Sequence, residues 1–177
     1  QAQCPGFPTA LADGDCGNYS PLSNGSNVNN GQTLGVCNTS TTSNSFTNIS
    51  LNNGGVIRVC GNTSIGGNFN GGGIIIVGCG STLEFPNGLS LRVGIINYGT
   101  VIVTGDLSVN DHGYFYNEST TSNLYVSGNL TYAQNNNETA YFKNNGYTSI
   151  AGDFNAWDGG FTCLGPMSSL VCNNINY

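Results

Sequence analysis

The chain has 177 residues, of which only 7% are charged, with nine acids, three basic residues and a formal net charge of −6. That charged share is far below the ~25% of an ordinary domain. Phosphate recognition needs a basic surface, so the balance excludes a nucleic-acid partner and disfavours an anionic membrane surface. No apolar stretch approaches the ~20 residues of a helical membrane span.

Residues 1–48 do not repeat. They hold Cys4, Cys16 and Cys37, the prolines Pro5, Pro8 and Pro21, and the polar run SNGSNVNNG at 23–31. Apolar content is thin, limited to residues such as Leu34, Val36 and Phe46. This part reads as an irregular, disulfide-pinned arm or cap, with a disordered leader as the competing reading. The opening QAQCPG, with no charged and apolar leader, reads as the start of a mature secreted chain.

Seven cysteines point to an oxidising, extracellular or cell-surface location. Cys4–Cys16 and Cys163–Cys172 are close enough in sequence to close small loops. Cys60 and Cys79 are about one repeat apart and are expected on neighbouring turns. Spacing alone does not assign the pairs, and an odd number leaves at least one thiol over. Zinc lacks ligands here: there is no CxxC pair, and His112 is the single histidine.

From Ile49 onward short strands recur. Val56–Cys60 is predicted as a strand, and Ile65-Gly66-Gly67-Asn68-Phe69 follows with apolar residues two before and two after Gly67. Gly73–Val77 is a fully apolar strand, and Leu83-Glu84-Phe85 alternates into the turn Pro86-Asn87-Gly88. The clearest region is 94–156. Three alternations there end in Gly105-Asp106-Leu107, Gly128-Asn129-Leu130 and Gly152-Asp153-Phe154. Aligned on those glycines, Val103, Val126 and Ile150 stand two before, and Leu107, Leu130 and Phe154 two after. Strict period two makes the element a strand, and repetition at this spacing is the signature of a solenoid. Asn97 and Asn144 each open an Asn-x-Gly turn eight residues before their glycine. After Trp157 the pattern drifts, with a last strand expected at Ser168–Cys172 and no capping helix.

The fold class predicted is all-β, a single-stranded parallel β-helix of about five to six rungs. Residues 1–48 form the arm or cap and 49–177 the solenoid. A β-sandwich also joins short strands by regular turns, but it does not require strands that resemble one another. Inward ladders are expected, Val103 on Val126 on Ile150 and Leu107 on Leu130 on Phe154, with glycine at the corner tolerating φ > 0.

The chemistry is sparse. Asp106, Asn129 and Asp153 share one position on successive turns, which suits either calcium or backbone bonding within the turn. The second is favoured, because only two carboxylates contribute. The acids Asp13, Asp15, Glu84, Asp106, Asp111, Glu118, Glu138, Asp153 and Asp158 are scattered, unlike the paired carboxylates of glycoside hydrolysis. There is no nucleophile elbow and no phosphate loop, so no enzymatic activity is expected. Asn-x-Ser/Thr sequons begin at Asn18, Asn24, Asn38, Asn48, Asn62, Asn117, Asn129 and Asn137, each a candidate glycosylation site. Tyr98, Tyr116, Tyr125, Tyr147 and Trp157 are candidate glycan contacts, since aromatic faces cover the apolar faces of sugars. The alternative is that they stack along the strands and stabilise them.

The run INYGTVIVTGDLSV, then YVSGNLTY, then FKNNGYTSIAGDFNA resembles the repeats of large secreted bacterial surface proteins, especially those exported by type IX secretion. The resemblance covers 94–156 and, more loosely, 56 onward. It implies a β-solenoid in an adhesin or fibre component. The C-terminal sorting domain of such exports is not in this sequence. The function expected is therefore an extracellular structural subunit of a surface fibre or adhesive appendage, assembling through solenoid ends or a donated N-terminal strand. A monomeric carbohydrate-binding adhesin module is the alternative, and a polysaccharide-active β-helix enzyme a third.

Overall fold

The computed structural model of the chain describes residues 19–36, 44–110, 112–132, 139–157 and 160–177. Among them the structure is strand, turn and bend, without helix, and every strand pairing is parallel. The chain winds as a β-solenoid with three faces.

The first face is an eight-stranded sheet. Its strands are Ser20–Pro21, Thr33–Val36, Val56–Val59, Ile74–Val77, Gly94–Asn97, Tyr114–Asn117, Ala140–Asn144 and Gly160–Leu164. Eight stacked strands make about seven turns, more than the five to six expected. The parallel ladder also starts ahead of residue 49, since Ser20 pairs with Leu34 and Leu34 with Ile57. Those first turns carry few apolar residues and no glycine motif, so period two is faint in them. Yet Val28 and Val36 are buried, and that is enough to seat the strands.

The second and third faces form one thirteen-stranded sheet. They are joined because the long strand Asn62–Gly71 passes the corner without a break. It pairs with Thr82–Phe85 on one face through Asn62↔Thr82 and with Leu89–Leu91 on the other through Phe69↔Leu91. In later turns a Gly-Asp or Gly-Asn corner separates the two faces.

The interior follows from the register. Leu83, Val101, Leu124, Thr148 and Leu170 stack on the second face. The expected ladders form, with Val103 on Val126 on Ile150 and Leu107 on Leu130 on Phe154, all buried. Aromatic rings fill the wider turns: Phe142 packs against Phe154 at 5.3 Å and Phe115 at 6.3 Å between centroids. Burial of such side chains at ~25 cal/mol per Å² of apolar surface is the main force holding the turns together.

The corner glycines serve two different purposes. Gly88 and Gly105 have φ of 72° and 113°, where an L side chain is strained. Gly128 and Gly152 do not. A Cβ at Gly128 would collide with the Asp106 carboxylate and the Gly105 carbonyl carbon, and one at Gly152 with the Asn129 amide and the Gly128 backbone. Close stacking, rather than handedness, demands glycine in those turns.

The one described cysteine pair that sequence spacing suggested, Cys163–Cys172, is not made. Cys172 is a free thiol, so Cys163 is not joined to it. Cys60 and Cys79 do lie on successive turns but are not joined to each other. The N–H of Gly78 bonds to the Val59 carbonyl, so the residue stacked over Cys60 is Gly78, and Cys79 stands one place further on, exposed in the turn. Cys4, Cys16 and Cys37 lie outside the described residues.

Candidate functional site

Three kinds of surface could carry a function: the corners between faces, the outer sheet faces and the last turn. At the corner between the first and second faces, the side chains of Asn97, Asn117 and Asn144 stack inside the solenoid. All three are buried. Asn97 Nδ2 donates to Asn117 Oδ1 at 2.8 Å, and Asn117 Nδ2 to Asn144 Oδ1 at 2.9 Å. The same amide groups donate to the carbonyls of Asn123, Tyr147 and Ser169, while Asn97 Oδ1 accepts the N–H of Gly99. This array is structural. Asn117, one of the sequon residues, has its Nδ2 committed here and is closed to glycosyl transfer in the folded chain.

At the corner between the second and third faces, Asp106, Asn129 and Asp153 do line up. Asp106 Oδ1 accepts the N–H of Asn129 at 2.7 Å, Asn129 Oδ1 accepts the N–H of Asp153 at 2.9 Å, and Asn174 Nδ2 donates to Asp153 Oδ1 at 2.8 Å. Asp106 and Asn129 thus each cap a backbone donor of the next turn, and Asp153 takes a side-chain amide there. The two carboxylates are two turns apart, ~9.6 Å at ~4.8 Å per turn, too far to share a cation with ligands at 2.3–2.6 Å. No group of three His, Cys, Asp or Glu among the described residues has the geometry to hold a metal.

An open cleft of about 670 Å³ runs beside this corner, lined by residues that include Phe69, Phe85, Leu89, Asp106 and Ser108. It holds a single carboxylate. Glu118, buried elsewhere, pairs with Lys143 Nζ at 2.7 Å and accepts from Asn145 Nδ2 at 3.1 Å. Asp13, Asp15, Asp111, Glu138 and Asp158 lie outside the described residues. A second cleft of about 510 Å³, between the third and first faces, brings Arg92, His112 and Tyr114 together over a floor that includes Gly72, Gly73 and Gly94. Sequence reading passed over this grouping. Arg92 and His112 are a turn apart, and only the repeat length would have placed them side by side.

The candidate glycan contacts separate. Tyr116 is 1% exposed, and burial, reinforced by Tyr114, Tyr141 and Glu118, raises its pKa. Tyr98 is half-buried. Tyr125 and Tyr147 lie exposed on the second face with ring centroids 5.9 Å apart, and Trp157 is exposed near the last turn. Among the remaining sequons Asn24, Asn48, Asn62 and Asn129 are exposed, whereas Asn18, Asn38 and Asn137 lie outside the described residues.

The last turn differs from the rest. Gly160–Leu164, Ser169–Val171 and Ile175–Asn176 end the ladders of the three faces. Each is paired on one side only among the described residues, leaving a row of backbone donors and acceptors. The third of these strands lies beyond the one expected near Val171. Phe161, Leu164, Met167, Val171, Ile175 and Tyr177 are exposed there, and Leu170 and Cys172 only partly cover the interior. By contrast Leu22 and Val28 in the first turns are buried.

No family model, no curated protein and no solved structure matches the chain. No helix of the structure is long and apolar enough to cross a membrane.

Proposed function

We propose that the chain is a non-catalytic extracellular structural module, a subunit of a surface fibre or adhesive appendage that associates with further copies through its carboxyl-terminal turn. One observation carries this reading: three terminal strands with open edges surrounded by exposed apolar side chains. Apolar surface of this kind drives association, and unpaired strand edges accept further strands. The weakly charged surface removes the repulsion that would keep copies apart. Association of this edge with a differing surface of the next copy would be heterologous and would propagate as a filament.

Sedimentation velocity and negative-stain microscopy over a concentration series test it. Assembly that grows with concentration and is lost in Leu164→Lys/Val171→Lys is expected. Monomers at every concentration would overturn it.

A second reading rests on the exposed Tyr125–Tyr147 pair, flanked by Asn123 and Ser149. Rings and amides together suit a neutral glycan. Glycan-array binding that disappears in Tyr125→Ala and Tyr147→Ala, without assembly, would favour a carbohydrate-binding module instead.

A further inference from the structure

The corners where the third face passes into the first are unequal in length. The connection takes three residues at 53–55, only two at 72–73 and at 92–93, and four at 110–113. Two short corners between longer ones leave a recess of about 510 Å³, within the ~300–1,000 Å³ of small-ligand sites. Its floor is bare for a physical reason at each position. Gly72 has φ of 86°, where an L side chain is strained. A Cβ at Gly73 would overlap Leu51 and the Gly55 carbonyl, and one at Gly94 would overlap the ring of Tyr114. Tyr114 thus lies across Gly94, half-buried, at the side of the recess.

Arg92 stands exposed in the recess, with His112, also exposed, one turn higher. His112 has φ of 66°, a left-handed backbone that is strained for a residue with a Cβ. Its N–H is tied to the Thr139 carbonyl at 2.7 Å. Such outliers persist only where the surroundings fix them, and they gather at ligand clamps. The charge is uneven too. The chain has three Lys or Arg against nine acids. Arg58 lies against Tyr19 and Lys143 against Glu118, whereas Arg92 shares with His112 a cleft whose described lining holds no acid.

We propose that this cleft binds a carboxylate-bearing sugar, one unit of an acidic glycan. The Arg92 guanidinium carries five N–H donors in a fork that matches the two oxygens of a carboxylate. A contact on one side of that fork leaves other donors for a ligand. The His112 ring adds hydrogen bonding for sugar hydroxyls. The Tyr114 ring covers an apolar sugar face. Burial raises the Tyr114 pKa, so its phenol stays protonated and donates. The side-chain-free floor lets the sugar approach the backbone closely. A single fork suits a planar, singly charged carboxylate. A dianionic phosphate would meet a chain of net charge −6 with one guanidinium to offset it.

The site is separate from the Tyr125–Tyr147 pair on the second face, and its binding is independent of self-assembly. Its test is chemical-shift titration of the full chain with galacturonic acid against galactose, and with sialyllactose against lactose. At least one acid sugar should shift the backbone signals of Arg92, Gly94 and His112 and bind about tenfold or more tightly than its neutral counterpart. Response to galacturonic acid alone would assign a uronate polymer as the source, and response to sialyllactose alone a sialylated surface. Arg92→Gln should remove the preference for the acid. His112→Gly, which suits the left-handed backbone, should weaken binding without lowering the melting temperature. Equal binding of acid and neutral sugars, no shift at Arg92 and His112 with either acid, or undiminished binding in both variants would overturn the site.

Discussion

Asn117 Nδ2 donates to Asn144 Oδ1 at 2.9 Å, one turn above, while Asn117 Oδ1 accepts from Asn97 Nδ2, one turn below. The middle amide thus serves both neighbours and two carbonyls besides. In a dry interior such a group is strong when fully partnered and costly when cut.

Asn117→Ala should therefore destabilise the chain by about 3 kcal/mol, since buried donors and acceptors left alone cost ~1–3 kcal/mol each. Asn117→Asp should be at least as harmful, because an ionised carboxylate has no proton for Asn144 Oδ1 or Tyr147 O. Urea unfolding followed by circular dichroism measures both. A loss below about 0.5 kcal/mol in either would show that the corner tightens without these amides.

The Glu118–Lys143 pair makes a second case. Side-chain exposures of 6% and 13% leave little water around it. Lys143→Met should cost about 3–5 kcal/mol by leaving a buried carboxylate without its cation. The double variant Lys143→Met/Glu118→Gln should regain most of that. A double-mutant cycle with no coupling would place both charges effectively in water.

Phe142→Ala removes the ring that touches Phe115, Tyr132 and Phe154. A cavity of that kind costs about 3–5 kcal/mol. Thermal unfolding should shift down accordingly, and hydrogen exchange should quicken in Tyr114–Asn117 and Phe154–Ala156 before it does in Val56–Val59.

Alkaline pH should weaken the fold. Burial raises the pKa of both Tyr116 and Tyr132, so the neutral phenols are favoured in the folded chain. In the unfolded chain they titrate near ~10. Their stabilising contribution is whole below that value and is lost as pH rises through the higher folded values. Melting temperatures recorded upward from pH 8 should fall only above about pH 10, and less steeply in Tyr116→Phe. A decline starting near neutrality would assign the effect to other groups.

Asp106 distinguishes a backbone cap from a cation ligand. Asp106→Asn keeps an oxygen for the Asn129 N–H and should change stability by less than ~0.5 kcal/mol, whereas Asp106→Ala should cost ~1 kcal/mol. Millimolar calcium should leave the melting temperature of either variant where it was; a rise confined to the parent chain would reinstate the ion.

The interior ladders were legible because Val103, Val126 and Ile150 repeat with one side-chain type at nearly constant spacing, 23 and then 24 residues. The Asn97–Asn117–Asn144 array was not. Asn97 and Asn144 each precede x-Gly and read as turn formers, while Asn117 precedes Glu118-Ser119 and reads as a sequon. Only the register shows that the three share one column. The burial of Ile76, Ile96 and Tyr116, which share one register position on the first face, was hidden for a related reason. Ile74-Ile75-Ile76-Val77 is apolar throughout, and such a strand does not declare which side faces the interior. The early turns escaped notice because Thr33-Leu34-Gly35-Val36 is too short and mixed to establish a period alone.

The parallel stacking has a bearing on how such a chain diversifies. Each turn touches only those directly above and below it, and the side-chain hydrogen bonds that cross turns span sequence separations such as 20, 23 and 27 residues. A duplicated or deleted segment of that size would leave both new neighbours with matching columns. The length of the molecule is thus free to vary in quanta of one turn, while its cross-section and its two ends stay the same.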